Sequence, residues 1–291
     1  MPAVLANARW TFRAPAAALV LWQSIALAAV LSAFSCGLAI ASVLMTTRDG
    51  RRIPSTPADI PAPLWYAAVT VFAVTLLIGA RLIFSTCRVV VRTRRRRAHH
   101  RDLVDLLDGK CTYRTDDLPH DLRVIETGEP MAYCLPGLRR RVVVSEGTLH
   151  ALTAEEVDAI LRHERSHLRA RHDLLIEAFT AVYEAFPRVV RSGSALGAVA
   201  LLVEMVADDS AVRVTGPLPL ARALVHCSGS HAPKGALAAG ATGTLARVRR
   251  LGETQRSRTV AITTLIAAAA ILVLPTVYVA IPWLHELQRL H

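Results

Sequence analysis

Three long stretches of the chain carry no charged residue: Ala14 to Met45, Ile60 to Ala80 and Thr259 to Leu284. Each can cross a hydrocarbon core, which takes about 20 residues of helix, and Pro275 predicts a kink in the third. Between the second and third the pattern changes. Thr153 followed at the third position by Glu156 is a capping box that starts a helix. Val157, Ile160, Leu161 and Leu168 then recur at helical spacing, with no Gly or Pro from Ala154 to Asp173. Gly128 to Tyr133 and Arg141 to Ser145 read as strands turning at Pro136-Gly137, and Cys111 to Ile125 as short strands and turns. Asp102 to Leu107 reads as the start of a helix leaving the membrane. After Asp208 a helix continues to Val214, Gly216-Pro217 breaks it, Leu218 to Cys227 is helical, and Gly229 to Gly243 is a loop. Leu174 to Val203 is interrupted by Glu177, Glu184, Arg188 and Arg191, so only Ser192 to Val203 is charge-free. That is too short to span, and the stretch is expected to form helices of the central domain beside the bilayer.

The first helix of that domain carries His163-Glu164-Arg165-Ser166-His167. Histidines four residues apart lie on one helix face, one turn apart, and can bind the same Zn²⁺. Glu164 is rotated about 100° from His163, towards the water such a metal would hold, where it can act as the base. The competing reading is a pair of exposed histidines on a charged helix, given Arg162, Arg165, Arg169 and Arg171. A catalytic zinc takes three protein ligands and keeps a fourth position open. In Val203 to Asp209, Glu204 and Asp208 share a face. Glu204 is the candidate third ligand, because an uncompensated carboxylate after an apolar run is costly. Asp208 is the candidate acceptor for the ring nitrogen that a ligating histidine leaves free. The alternative for both is a helix end turning to solvent. His172 follows His167 by five residues and is expected to point away. His99, His100, His226 and His231 are expected to be solvated or in turns. Arg141, Val142, Val143, Val144 and Ser145 form the candidate edge strand for an extended substrate.

Val142 to Leu149, the capped helix with its histidine pair, Arg171, Asp173 and the Glu204 to Asp208 unit together resemble the integral-membrane zinc metallopeptidases of the BlaR/MecR type, and more distantly the HtpX-like proteases. The likeness covers roughly residues 90 to 257. It implies a gluzincin-like site with Zn²⁺ on His163, His167 and Glu204, Glu164 as base and Asp208 alongside. It also implies a role in signalling, such as an antibiotic response in which the substrate is a cytoplasmic repressor of the BlaI/MecI type. Two features depart from the receptors. Only His285 to His291 follow the last span, where they carry a penicillin-binding sensor, and the chain has only a short lead before its first span, where relatives have a further helix. Quality control of membrane proteins, as in HtpX-like enzymes, is the second reading. A non-catalytic membrane receptor or scaffold that keeps the zinc site is the third.

Hydrophobic residues make up 53% of the 291, mean hydropathy is +0.36 and the net charge is +11. The charge sets orientation. Arg88, Arg92, Arg94 to Arg97 and Arg101 follow the second span, and Arg247, Arg249, Arg250, Arg256 and Arg258 precede the third. By the positive-inside rule both clusters are cytoplasmic, and they outweigh Arg48, Arg51 and Arg52. The organisation expected is a cytoplasmic N-terminus at 1–13, spans at 14–45, 60–87 and 259–284, an extracytoplasmic loop at 46–59, a cytoplasmic zinc metallopeptidase domain at 88–258 and an extracytoplasmic tail at 285–291. The fold class is thus a mainly α, multi-pass cell-membrane protein, with a cytoplasmic α+β zincin-like domain and a small edge sheet. The arginine run lacks interleaved aromatics, so its expected partner is anionic lipid rather than nucleic acid. The five cysteines form no C-x-x-C, and the expected state in the cytoplasm is reduced.

Overall fold

The computed structural model describes residues 2–44, 62–108, 121–137, 140–186, 192–227, 241–253 and 257–288. The loop with Arg48, Arg51 and Arg52, Cys111, Arg188, Arg191, His231, Arg256 and most of the Gly/Ala-rich loop lie outside the described residues. The chain divides into two units, one of Met1–Ala16 and Thr86–Arg258, the other of Ala17–Ser85 and Thr259–His291.

The second unit holds most of α2 (Pro15–Leu44), the first half of α3 (Ala62–Asp108) and nearly all of α10 (Arg258–Gln288). All three helices are long and apolar enough to cross a membrane. Leu76, Leu77, Ile83, Phe84, Ile266 and Leu274 are exposed on them. Small residues let α2 and α3 approach closely. A Cβ on Gly37 would lie 2.1 Å from Thr75 Oγ1, and one on Gly79 3.1 Å from the Phe34 ring. The α10 helix runs through Pro275 without a break.

In the other unit, α1 (Pro2–Ala6) and a 3₁₀ turn (Arg9–Arg13) precede the spans. The second half of α3 corrects the expectation of a separate helix beginning near Asp102. The helix is continuous through the arginine run, which holds no Gly or Pro, and ends at Asp108. It then meets β1 (Leu122–Ile125), β2 (Ala132–Leu135) and β3 (Arg141–Ser145), followed by α4 (Glu146–Ala151), α5 (Ala154–Ala170), α6 (His172–Ala185), α7 (Gly193–Thr215), α8 (Pro217–Cys227) and α9 (Ala241–Gly252). Part of the arginine run is internal structure. Arg97 pairs with Asp173 at 3.0 Å and with Glu177 at 2.7 Å, Arg92 pairs with Glu184, and Arg101 donates to the Pro136 carbonyl at 3.1 Å.

The sheet order is β1-β3-β2, with β1 parallel and β2 antiparallel to β3. This overturns the edge-strand expectation for Arg141 to Ser145. Strand β3 is central, so its backbone is paired on both sides, while Val142, Val143 and Val144 are buried in the core. Ser145 is equally occupied: its Oγ accepts from Met131 N at 2.9 Å and Thr148 N at 3.1 Å, capping α4. The strand before the turn is also shifted, from the expected Gly128–Tyr133 to Ala132–Leu135. An added strand can join only at β1 or β2, and β2 is the edge that packs against α5.

The capping box forms as the spacing demands: Thr153 N donates to Glu156 Oε2 at 2.9 Å and Glu156 N to Thr153 Oγ1 at 3.4 Å. Helix α5 packs against α7, α8 and β2. Residues Val199, Leu202, Val203, Met205 and Ala207 bury α7 completely on one side. Gly216, at φ 76°, ends it where the Gly-Pro break was expected.

Candidate metal centre

Helix α5 presents His163 and His167 from one buried face, and α7 brings Glu204 opposite them. His163 Nε2 is 3.1 Å from His167 Nε2 and 3.3 Å from Glu204 Oε2, and His167 Nε2 is 3.6 Å from Glu204 Oε1. One ligand atom from each of the three residues lies within 4.8 Å of the others. A tetrahedral zinc about 2.0–2.1 Å from each donor sets donors roughly 3.3 Å apart, so the set fits the ion in chemistry and in spacing. The other ring nitrogens lie close to polar neighbours, where a ligating imidazole places its free nitrogen. His163 Nδ1 is 3.0 Å from Asp208 Oδ1. His167 Nδ1 is 3.0 Å from His172 Nδ1.

That last contact corrects the expectation that His172 points away. The five-residue spacing applies only if one helix continues. Instead α5 stops at Ala170, Arg171 turns left-handed at φ 52° and ψ 43°, and α6 starts at His172. The turn swings His172 back against His167, with ring centroids 5.0 Å apart.

Two further residues were missed. Arg247 on α9, grouped by sequence with the juxtamembrane arginines, is 5% exposed and sits in the site. It donates to both Asp208 oxygens, at 2.8 and 2.7 Å, and its Nη1 is 3.0 Å from Glu204 Oε2. Its neighbour one turn on, Arg250, is bidentate on Asp209 at 2.8 and 2.9 Å. The signal was present: adjacent acids on a buried helix need cations, and arginines three residues apart on one face can serve both. Cys134 on β2 is the second, a buried thiol close enough to Glu164 for each to shift the other's titration.

The charges shape the titration. Burial lifts Glu164 to about 7, with the Glu204 carboxylate adding to it and His163 opposing. Burial works to lower His163, but its bonds to Asp208 and Glu204 prevail and raise it to about 9. Burial drives His167 down to about 3. Burial works to raise Glu204 and Asp208, yet their bonds to His163 and Arg247 hold both carboxylates below the usual range. Burial pushes the Cys134 thiol up.

A buried two-His, one-carboxylate set with a glutamate beside it is a donor set that could hold a metal ion. Residues 101–227 match the family model for peptidase family M48. The matched stretch contains His163, Glu164, His167, Glu204 and Asp208; Arg247 lies beyond it. The match supports a metallopeptidase, a hydrolase of a membrane-associated kind. No curated protein and no solved structure matches the chain.

Proposed function

We propose that this chain is a multi-pass membrane zinc endopeptidase that cuts proteins at the cytoplasmic face. The observation that supports it most is the buried convergence of His163, His167 and Glu204, with Glu164 adjoining, inside the stretch similar to peptidase family M48. Zn²⁺ held there would supply Lewis acidity, activating water and polarising the scissile carbonyl. Glu164 takes the water's proton and passes it to the leaving amine. Asp208 and His172 keep the imidazoles turned inward. An extended substrate adds as a strand outside β2, the edge next to α5.

The three apolar helices support multi-pass insertion, and the flanking arginines favour the cytoplasm for residues 88–258. The finer reading is regulatory, with a transcriptional repressor of the BlaI/MecI type as substrate. The resemblance in the two motifs supports that role.

The test is the full chain in detergent, assayed for metal content and cleavage. We expect one zinc per chain and a loss of about 10²–10⁴-fold in cleavage for Glu164→Gln with zinc retained. Full activity in that variant would remove Glu164 from the role of base. Selective cleavage of a repressor encoded beside this chain supports the regulatory reading, whereas cleavage of many unrelated unfolded membrane proteins assigns it to quality control.

A further inference from the structure

Away from the metal centre, a cavity of about 880 Å³ opens between the 3₁₀ turn at Arg9–Arg13, α7 and α9. That is a volume suited to a small organic ligand. Trp10, Phe12, Val212, Leu245 and Leu251 give it mainly apolar walls. Four arginines, Arg9, Arg13, Arg249 and Arg250, face two acids, Asp209 and Glu253. The acids are already matched: Arg250 is bidentate on Asp209, and Arg249 lies 3.3 Å from Glu253. Arg9 and Arg13 meet no carboxylate among the described residues, and both are exposed beside the cavity. Its surplus charge is therefore positive and sits on one wall, next to an indole that is 37% exposed.

We propose that this cavity binds one anionic phospholipid, its phosphate between Arg9 and Arg13 and the upper part of an acyl chain against Trp10, Phe12 and Leu245. The position along the chain argues for a lipid. Arg13 stands two residues before Pro15, where the first apolar helix starts, and Glu253 five residues before Arg258, where the last one starts. Two of the elements that form the cavity, the 3₁₀ turn and α9, thus stand next to candidate spans along the chain; the ends of a span lie at the depth of the headgroups. Arginine attracts anionic headgroups there, and tryptophan favours the same depth because one edge is polar and the body apolar. Apolar walls beside the cations give an acyl chain a contact that a free phosphate has no use for. The inference rests on the reading of α2 and α10 as membrane spans.

The ring of contacts also fastens the N-terminal segment to the site helix. Arg250, fixed by Asp209, donates to the Phe12 carbonyl at 2.7 Å, and Asp209 adjoins Asp208, which touches His163.

The test uses the full chain in a mild detergent with phosphatidylglycerol or phosphatidylcholine added, and native mass spectrometry to read occupancy of the first bound lipid. We expect phosphatidylglycerol to bind in preference, with the double variant Arg9→Ala/Arg13→Ala weakening it roughly tenfold or more. The variant Leu245→Glu, which places a charge in the acyl wall, should do the same while the melting temperature stays unchanged. Equal binding of the two lipids, or unweakened binding in both variants, overturns the proposal. So does competition by glycerol 3-phosphate at equal strength, which would make the cavity a site for soluble phosphates. Carbonate extraction of membranes tests the spans separately: a chain that stays in the pellet yet shows no lipid preference sinks this inference alone.

Discussion

Arg247 and Asp208 show how much a single buried pair carries in this site. Asp208 is 1% exposed and Glu204 4% exposed, and Arg247 is a cation that touches both carboxylates. Removing it would leave the two buried anions with His163 as their remaining cationic partner in the zinc-free chain. Breaking a buried pair in this way costs about 3–5 kcal/mol. Arg247→Ala is therefore expected to lower the melting temperature of the zinc-free chain sharply. Zn²⁺ should restore part of the loss, since a divalent cation at His163, His167 and Glu204 neutralises the same charge. An unchanged melting temperature in the zinc-free variant would show that these acids need no arginine. Arg247→Lys should fall between, because an ammonium cannot hold both Asp208 oxygens in the parallel fork that a guanidinium makes.

At the scale of elements, the junction of α5 and α6 decides the geometry around His167. Its hinge is Arg171, a left-handed residue with a side chain, the only non-glycine with positive φ among the described residues. A left-handed residue with a Cβ costs about 1–2 kcal/mol, which glycine avoids. Arg171→Gly should hold or slightly raise the melting temperature and keep zinc affinity. Arg171→Val, branched at Cβ, should lower both, because His172 would be drawn off His167. If Val were tolerated as well as Gly, the hinge would not be what holds His172 in place. The α5 start is set differently, by Thr153 and Glu156 acting on each other across one turn.

For the molecule as a whole, the site ties stability to pH in opposite senses with and without metal. In the zinc-free chain His163 is raised to about 9 from an ordinary 6.5, because Asp208 and Glu204 hold its proton. That contribution is complete below about pH 6.5 and is lost as pH rises through about 9. His167, held neutral by burial down to about 3, acts the other way, and its contribution falls away as pH drops below about 6.5. Glu164, raised to about 7, loses its contribution as pH climbs from about 4.5 to 7 and offsets the gain from His167 there, so the zinc-free chain should keep its melting temperature up to about pH 6.5 and melt clearly lower at pH 9. With zinc bound, both imidazoles must be neutral, so the alkaline loss should vanish and acid should instead expel the metal. Thermal scans from pH 5 to 9, with and without chelator, check this; parallel curves in the two states would refute it.

What could be read from residue order was whatever depends on local spacing. The histidine pair one turn apart, the capping box, the Gly-Pro stop after α7 and the charge-free stretches all follow from helix period, backbone chemistry and the cost of charge in hydrocarbon. Glu204 and Asp208 were also within reach, since four-residue spacing puts both on one face whatever that face meets. The rest needed the fold. One left-handed residue cancelled the helical phase that should have turned His172 away. Strand β3 became central only because β1, from a distant stretch, pairs with it in parallel. Arg247 and Cys134 reach the site from α9 and β2, elements whose approach to α5 no local period encodes. Local order sets which way a side chain leaves its own helix; only the packing of helices and strands decides what it meets there.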